Sequence, residues 1–227
     1  MPKHTIQDLF ALINDAMNPS EPRESLLKFL KGLPNLANAP ASGALRYHHA
    51  YEGGLVDHII ETYSIMQDLN ATRTIGSPVP RYSRADMLMV AVLHDIHKVQ
   101  DTDGQAYYVP NILKSGKRSE AEPYAHNDMY LKSASVDTMA SKAARERDFL
   151  HREAVDGIPG GVKSLALIWA SDPNLYNALG EDVHYAIRYH DGAYGHNKYE
   201  LAGKENPLMI LFHCADMLSS RLNRVSK

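Results

Sequence analysis

Apolar residues recur at intervals of three and four along most of the chain, which is the period of amphipathic helices. One segment, which ends in "MLMVAVL", is apolar on every side, so we expect that helix to lie in the centre of the fold. Ser20 and Ser83 precede two of the periodic segments and are typical N-cap residues. Helices are predicted at residues 5–17, 20–33, 52–69, 83–98, 162–171, 180–190 and 207–223.

The segments between these helices have different patterns. Residues 33–50 lack helical periodicity and are predicted to be a loop, whereas residues 105–124 favour a β-hairpin that turns near Gly116. Residues 136–155 are polar and periodic, which predicts a surface helix. We therefore predict an all-α fold, a helical bundle with a small β-hairpin insertion. Its parts would be a helical extension at residues 1–40 and one main domain at residues 41–227.

Composition narrows the class of protein. With 227 residues, 44% hydrophobic and 22% charged, the chain has the size and balance of one globular domain. A net charge of −3 argues against a protein that coats nucleic acid by bulk electrostatics. There is no apolar stretch of bilayer length, no signal-peptide pattern, and Cys214 is the single cysteine. We expect a cytoplasmic protein with no membrane partner and no disulfide.

Charged side chains interrupt helices that otherwise consist of core residues. "VAVLHDIHKV" places His94 and Asp95 at the end of the central helix, and "PLMILFHCADMLSS" places Asp216 in a second apolar segment. "LVDHIIETY" adds His58 beside an apolar stripe. Alone, a core histidine is usually hydrogen-bonded and a buried aspartate usually caps a helix. Together they indicate a divalent cation, because burying an ionised carboxylate costs several kcal/mol unless a partner compensates it.

The order of His58, His94-Asp95 and Asp216 resembles the HD superfamily of metal-dependent phosphohydrolases. The matching segments lie in order over residues 48–220 and are most similar to the catalytic domain of the YhaM-type 3′–5′ exoribonucleases. The resemblance implies that the fold is an HD-domain helical bundle, in which these four residues bind one metal ion, in some members beside a second. The segments that carry the similarity are "HHAYEGGLVDH", "HDIHK", "IRYHDGAYG" and "NPLMILFHCADMLSS".

The sequence departs from that family at three places. Gly160 and Gly161 stand where a further histidine is expected, and a histidine pair is replaced by His190 and Asp191. The oligonucleotide-binding barrel of the YhaM-type enzymes has no counterpart in residues 1–47. We therefore expect one tightly bound ion, either Mn, Zn, Fe, Co, Ni or Mg. A second ion would have to rely on His190 and Asp191, with His126 or His151 as substitutes.

Two residues are predicted to act in the reaction. Lys98 follows His94 by one helical turn and would stabilise charge on a phosphoryl group, although a lysine at a helix C-terminus is also favoured by the helix dipole. His190 would transfer protons or add a ligand, because an imidazole titrates near neutrality.

A second group of residues is predicted to bind substrate. Lys114, Lys117 and Arg118 lie in a loop with serines and a glycine, a composition suited to phosphate groups but also to a solvated hairpin tip. The resemblance implies that His48 and His49 face the site, and His49 is predicted to contact the substrate.

Three functions remain open on this evidence. The first is a phosphohydrolase that cleaves a phosphate ester or anhydride of a small nucleotide through a metal-activated water. The second is an exonuclease acting on short single-stranded nucleic acid, which the low aromatic content, with four Phe and one Trp, disfavours. The third is a non-catalytic module that senses a nucleotide, which the complete set of metal ligands disfavours.

Overall fold

The computed structural model describes residues 2–72, 82–113, 115–127, 159–192 and 203–222. These residues are mostly helical and contain one small two-stranded sheet, which confirms the predicted all-α class with a hairpin. None of the described helices combines the length and the hydropathy that a bilayer span requires. The elements are α1 (Ile6–Ala16), α2 (Glu21–Lys31), α3 (Gly54–Ala71), α4 (Arg84–Leu93), a 3₁₀ turn (Ile96–Lys98), β1 (Tyr108–Pro110), β2 (Tyr124–His126), α5 (Gly160–Ser171), α6 (Pro173–Ala178), α7 (Glu181–Arg188) and α8 (Pro207–Leu222).

The first two helices begin at the caps that the sequence indicates. Thr5 and Asp8 form a capping box at the start of α1, and the Ser20 hydroxyl accepts a hydrogen bond from a backbone N–H at the start of α2. Both helices contribute buried side chains to the same core as α3 and α4. The Asp57 carboxylate on α3 also accepts hydrogen bonds from the backbone N–H groups of Lys3 and His4, at 2.8 and 2.7 Å. The N-terminal helices are thereby tied to the main body.

The central helix is α4, and every side chain from Met87 to Leu93 on it is buried. It packs against α3 and α7, and α8 packs against both α3 and α7. This arrangement explains the continuous apolar pattern, because a helix surrounded by other helices has no solvated face. It also brings three chain segments that carry the predicted ligands into contact.

The helix predicted to extend to Lys98 ends at Leu93, so this boundary was wrong. The backbone leaves the helix at Asp95, where φ is −111° and ψ is 14°, and continues as the 3₁₀ turn. A hydrogen bond to α5 stabilises this turn, because the backbone N–H of His97 donates to Ser164 Oγ at 3.3 Å. Lys98 therefore does not lie on the same helical face as His94.

Smaller differences occur toward the C-terminus. The helix predicted at residues 162–171 begins at Gly160, and the short α6 follows it after Asp172, whose carboxylate caps α6. The helix predicted at 180–190 ends at Arg188, which leaves the next residues in a turn. The polar helix predicted at 136–155 lies outside the described residues.

The predicted hairpin is confirmed. Strands β1 and β2 pair antiparallel with Val109 opposite Ala125, and Gly116 near the tip has a φ of 78°, which glycine adopts readily. The loop before α3 pairs with the second strand: Tyr124 N–H donates to Gly43 O at 3.2 Å. A side chain at Gly43 would approach that strand to 3.0 Å, so glycine permits the contact. The hairpin is thus fixed beside the start of α3.

Candidate metal centre

The four predicted metal ligands meet at one place, although they come from three separate helical segments. His58 Nε2 lies 3.1 Å from Asp216 Oδ1, and His94 Nε2 lies 3.2 Å from Asp95 Oδ2. His58, His94 and Asp95 each offer a ligand atom within 4.8 Å of the others. All three of these residues are buried, and 20% of the Asp216 side chain is exposed. Such a cluster has the size and donor types of a divalent cation site.

The ring nitrogens that face this centre lack hydrogen bonds. His58 Nε2 and His94 Nε2 are both buried and have no hydrogen-bond partner among the described residues. The nearby carboxylate oxygens are close enough but do not lie in hydrogen-bond geometry. Two unsatisfied imidazole nitrogens beside carboxylates fit a cation that is held by His58, His94 and Asp95, with Asp216 Oδ1 at 3.1 Å from His58 Nε2.

The opposite nitrogen of each ring is held by the surrounding structure. His94 Nδ1 lies 2.9 Å from Ala91 O and must donate to that carbonyl. His58 Nδ1 lies 3.0 Å from Ser219 Oγ, and this hydroxyl donates to Glu61 Oε2 at 2.9 Å. Because Nδ1 carries the proton in both rings, the Nε2 lone pairs point to the centre. These contacts are of the kind that orients metal-binding histidines.

The charge states also fit a metal centre. Burial lowers the pKa of His94, so its ring stays neutral. Burial alone would raise the pKa of Asp95, but the cationic Lys98 beside it lowers that pKa. A neutral imidazole and an ionised carboxylate are the forms that bind metal ions.

Lys98, one of the two predicted catalytic residues, lies next to the centre. Its Nζ donates to Asp95 Oδ2 at 2.5 Å. Burial disfavours its charge, but the Asp95 carboxylate more than compensates and raises the Lys98 pKa. The ammonium group is therefore charged and is held at the side of the cluster by the carboxylate.

His190, the other predicted catalytic residue, lies in the turn after α7. Its Nδ1 donates to Ile187 O at 2.9 Å, and its Nε2 lies 3.5 Å from Asp95 Oδ1 and 3.6 Å from Asp191 Oδ1. Burial lowers the pKa of the ring, but the Asp191 and Asp95 carboxylates outweigh this effect and raise it to about 9. The His190 ring thus lies beside Asp95 and next to His94, with its ring centre 5.2 Å from that of His94.

His49 is close to the centre and belongs to a group of three histidines. His48, His49 and His58 offer ligand atoms that lie within 4.8 Å of one another. Burial lowers the pKa values of His48 and His49 to about 2 and about 4, so both rings are neutral. The backbone of His49 has a φ of 46°, and its carbonyl would be 2.1 Å from a side chain at Gly54. The "HHAYEGG" segment therefore needs glycine to bring its histidines to α3.

The sequence interpretation did not assign a role to His97. Its Nδ1 lies 2.9 Å from Ser164 Oγ, and this hydroxyl donates to His94 O at 2.7 Å. The ring lies against Gly160, where a side chain would approach His97 Cε1 to 2.9 Å. The second histidine of "HDIHK" was the only sequence signal for this residue. If the helix had continued to Lys98, as predicted, the His97 ring would have pointed in another direction.

The cluster opens into a cavity of about 300 Å³, lined among others by Asp95, His97, Lys98, His190 and Asp216. This space lies beside the metal ligands, so a small phosphate ester could reach them.

The predicted phosphate-binding loop lies farther along the hairpin. Arg118 places its guanidinium 4.3 Å from the centre of the Tyr124 ring and lines a neighbouring cavity that also reaches Lys98. Lys117 is exposed near the tip, and Lys114 lies outside the described residues. Of the two histidines considered for a second ion, His126 lies on β2 and His151 is outside the described residues.

Comparison of the chain with protein-family models, with curated proteins and with solved structures found no match. The buried groups of histidine and aspartate described above are able to hold a metal ion.

Proposed function

We propose that this protein is a metal-dependent phosphohydrolase of the HD type that cleaves a phosphate ester or anhydride of a small nucleotide. The observation that supports the proposal most directly is the pair of buried, unpartnered Nε2 atoms of His58 and His94 beside the carboxylates of Asp95 and Asp216. The order of these residues along the chain resembles the HD pattern. A buried cluster of this kind has no evident structural purpose without a cation, because unsatisfied polar groups destabilise the folded state.

A divalent ion held by these four residues would supply an activated water and would polarise a phosphoryl oxygen. The chain itself contributes fixed charges around that position. Lys98 Nζ is held beside Asp95 and lines the cavity, where it can donate to a phosphoryl oxygen of the substrate. His190 Nε2 lies 3.5 Å from Asp95 Oδ1 and lines the same cavity, where it can pass a proton to the leaving oxygen.

The test is hydrolysis by the purified protein of nucleoside mono-, di- and triphosphates and of short single-stranded oligonucleotides, each with Mn²⁺, Zn²⁺, Co²⁺, Ni²⁺, Fe²⁺ or Mg²⁺. We expect phosphate or polyphosphate release from at least one nucleotide. Cleavage of oligonucleotides alone would favour the exonuclease alternative. Binding of nucleotides without turnover under any of these conditions would favour the sensing module.

The Asp95→Ala variant tests the role of the metal centre. It removes one ligand and should reduce turnover by at least about 1,000-fold, because metal ions contribute several kcal/mol to such reactions. Asp103→Ala is the matched control, since Asp103 is exposed in the loop after the 3₁₀ turn. Circular dichroism would verify that both variants fold. Substantial turnover by a folded Asp95→Ala protein would refute the proposal.

A further inference from the structure

A second and larger cavity adjoins the metal centre. It has a volume of about 600 Å³ and lies between the loop at residues 41–48 and the β-hairpin. Tyr47, His48 and Lys98 line both this cavity and the smaller one at the metal ligands. A substrate whose phosphate lies beside Asp95 can therefore extend past Lys98 into the larger space. Its volume is within the range of cavities that bind small organic ligands.

Aromatic rings form much of the wall of this cavity. Tyr108 and Tyr124 project from the two strands of the hairpin with ring centres 6.5 Å apart, and Tyr47 approaches from the loop with 46% of its surface exposed. Arg118 lies over the Tyr124 ring and its Nε donates to Pro123 O at 2.9 Å, which restrains that side of the wall. Tyrosine rings at a polar cavity provide flat surfaces on which a planar base can stack.

One wall residue has an unused hydrogen-bond acceptor. Asn111 Nδ2 donates to Glu122 O at 2.8 Å, and this contact fixes the orientation of the amide group. Asn111 Oδ1 is buried and has no hydrogen-bond partner among the described residues. A buried acceptor without a partner is unfavourable, so a ligand with an N–H group would satisfy it.

The charged groups of the wall are already paired. Arg46 Nη1 lies 2.6 Å from Glu122 Oε1, and Lys98 is paired with Asp95. The larger cavity therefore has no free charge of either sign among these residues, which favours a neutral ligand over a further phosphate group.

We propose that this cavity binds the nucleoside portion of the substrate. The base packs against the tyrosine rings on the sides that Arg46, which lies over Tyr47, and Arg118, which lies over Tyr124, do not cover, and one of its N–H groups donates to Asn111 Oδ1. This inference depends on the proposed function in one respect only, which is that the substrate phosphate lies beside Asp95. The nucleoside contacts come from the hairpin and the loop, and do not require the metal ligands.

The experiment measures binding to the full chain by isothermal titration calorimetry. The ligands are adenosine, guanosine, cytidine and uridine, and ribose is the reference ligand without a base. At least one nucleoside should bind at least about tenfold more tightly than ribose, as base stacking predicts.

The Tyr47→Ala variant should bind that nucleoside about tenfold more weakly, whereas Tyr47→Phe, which keeps the ring, should bind it within about threefold of the wild type. Asn111→Ala should weaken it about fivefold or more, the effect of losing one hydrogen bond. Tyr185→Ala, on the exposed face of α7, is the matched control and should bind as the wild type does.

Two results would overturn the proposal. One is that no nucleoside binds more tightly than ribose, and the other is that both Tyr47→Ala and Asn111→Ala bind as the wild type does. Because Tyr47 is half-exposed, its alanine variant remains informative if Asn111→Ala does not fold.

The two proposals can fail separately. If nucleosides bind as described but no nucleotide is hydrolysed, the proposed function fails and the nucleoside site stands. If p-nitrophenyl phosphate is hydrolysed as well as any nucleotide and no nucleoside binds, the hydrolase stands and the nucleoside site fails.

Discussion

Ser219 connects the metal centre to the rest of the fold, and its replacement by alanine is a direct test of the site. The side chain is fully buried on α8, accepts from His58 Nδ1 at 3.0 Å and donates to Glu61 Oε2 at 2.9 Å. Without the hydroxyl, the His58 ring loses the acceptor that keeps its proton on Nδ1. The Thr62 hydroxyl, at 3.4 Å from the same nitrogen, is a weaker replacement.

The magnitude follows from these contacts. Loss of a group that orients a metal-binding histidine typically lowers metal affinity by about 10- to 100-fold. The same change leaves a buried imidazole N–H without its best acceptor, which costs about 1–3 kcal/mol of folding free energy. We therefore expect Ser219→Ala to weaken binding of Mn²⁺ or Zn²⁺ by about 10- to 100-fold and to lower the free energy of unfolding by about 1–3 kcal/mol.

Metal affinity is measured by competition with a chelator of known affinity, and stability by urea unfolding of the metal-free protein. Ser83→Ala is the control, since Ser83 caps α4 away from the metal ligands and its loss costs about 1 kcal/mol. If Ser219→Ala binds metal within threefold of the wild type, or if Ser83→Ala weakens binding equally, His58 is not a metal ligand oriented by Ser219.

Three further predictions concern the surroundings of the centre. Dialysed protein should retain one equivalent of transition metal per chain, and two equivalents would show that a second metal site is complete. The His190→Ala variant should hydrolyse the nucleotide more slowly but keep its bound metal. The double variant Lys117→Ala/Arg118→Ala should have a KM for the nucleotide that is about tenfold higher than that of the wild type. Unchanged kinetics would show that both side chains are solvated at the hairpin tip and do not bind substrate. His49 has a folded pKa of about 4, below its usual 6.5 because of burial, so the unfolded state binds more protons between these values. His49 should therefore contribute about 3 kcal/mol to the fall in the free energy of unfolding as the pH decreases from 6.5 to 4, in addition to the contributions of His48 and His94, and His49→Gln, measured by urea unfolding, should remove the His49 share alone.

The four candidate ligands could be predicted to lie in the core because their signal is local in the sequence. A carboxylate within an apolar helix is costly wherever the chain folds, so Asp95 and Asp216 each indicated a compensating partner. The helical period then placed His58 toward the core without any knowledge of the neighbouring helices. The class of the fold followed from the same periodicity, and the hairpin from the turn around Gly116.

The path of the chain after His94 could not be predicted in this way. Nothing in "HDIHKV" ends a helix, and the turn depends on a hydrogen bond from the His97 backbone to Ser164, which is 67 residues away in the sequence. That contact redirects both His97 and Lys98. Local propensity is a weak guide where a tertiary hydrogen bond competes with helix continuation.

For a related reason, His48 and His49 of the loop before α3 could be placed near the site only through the resemblance. Their approach to His58 depends on a left-handed backbone at His49 and on close packing against Gly54, two features that have no periodicity. The motif "HHAYEGG" carried the information only through its resemblance to a family.

Gly160 and Gly161 explain why no histidine occupies the position where the resemblance places one. A side chain at Gly161 would lie 2.1 Å from Ile187 O, so α5 packs too closely on α7 to carry one there. A side chain at Gly160 would meet the His97 ring, which already fills the space beside the centre. Ser164, one turn farther along α5, holds that ring through His97 Nδ1. Helix α5 therefore still positions an imidazole in the wall of the cavity beside the centre, but it does so by a hydrogen bond to another segment and not through a histidine of its own.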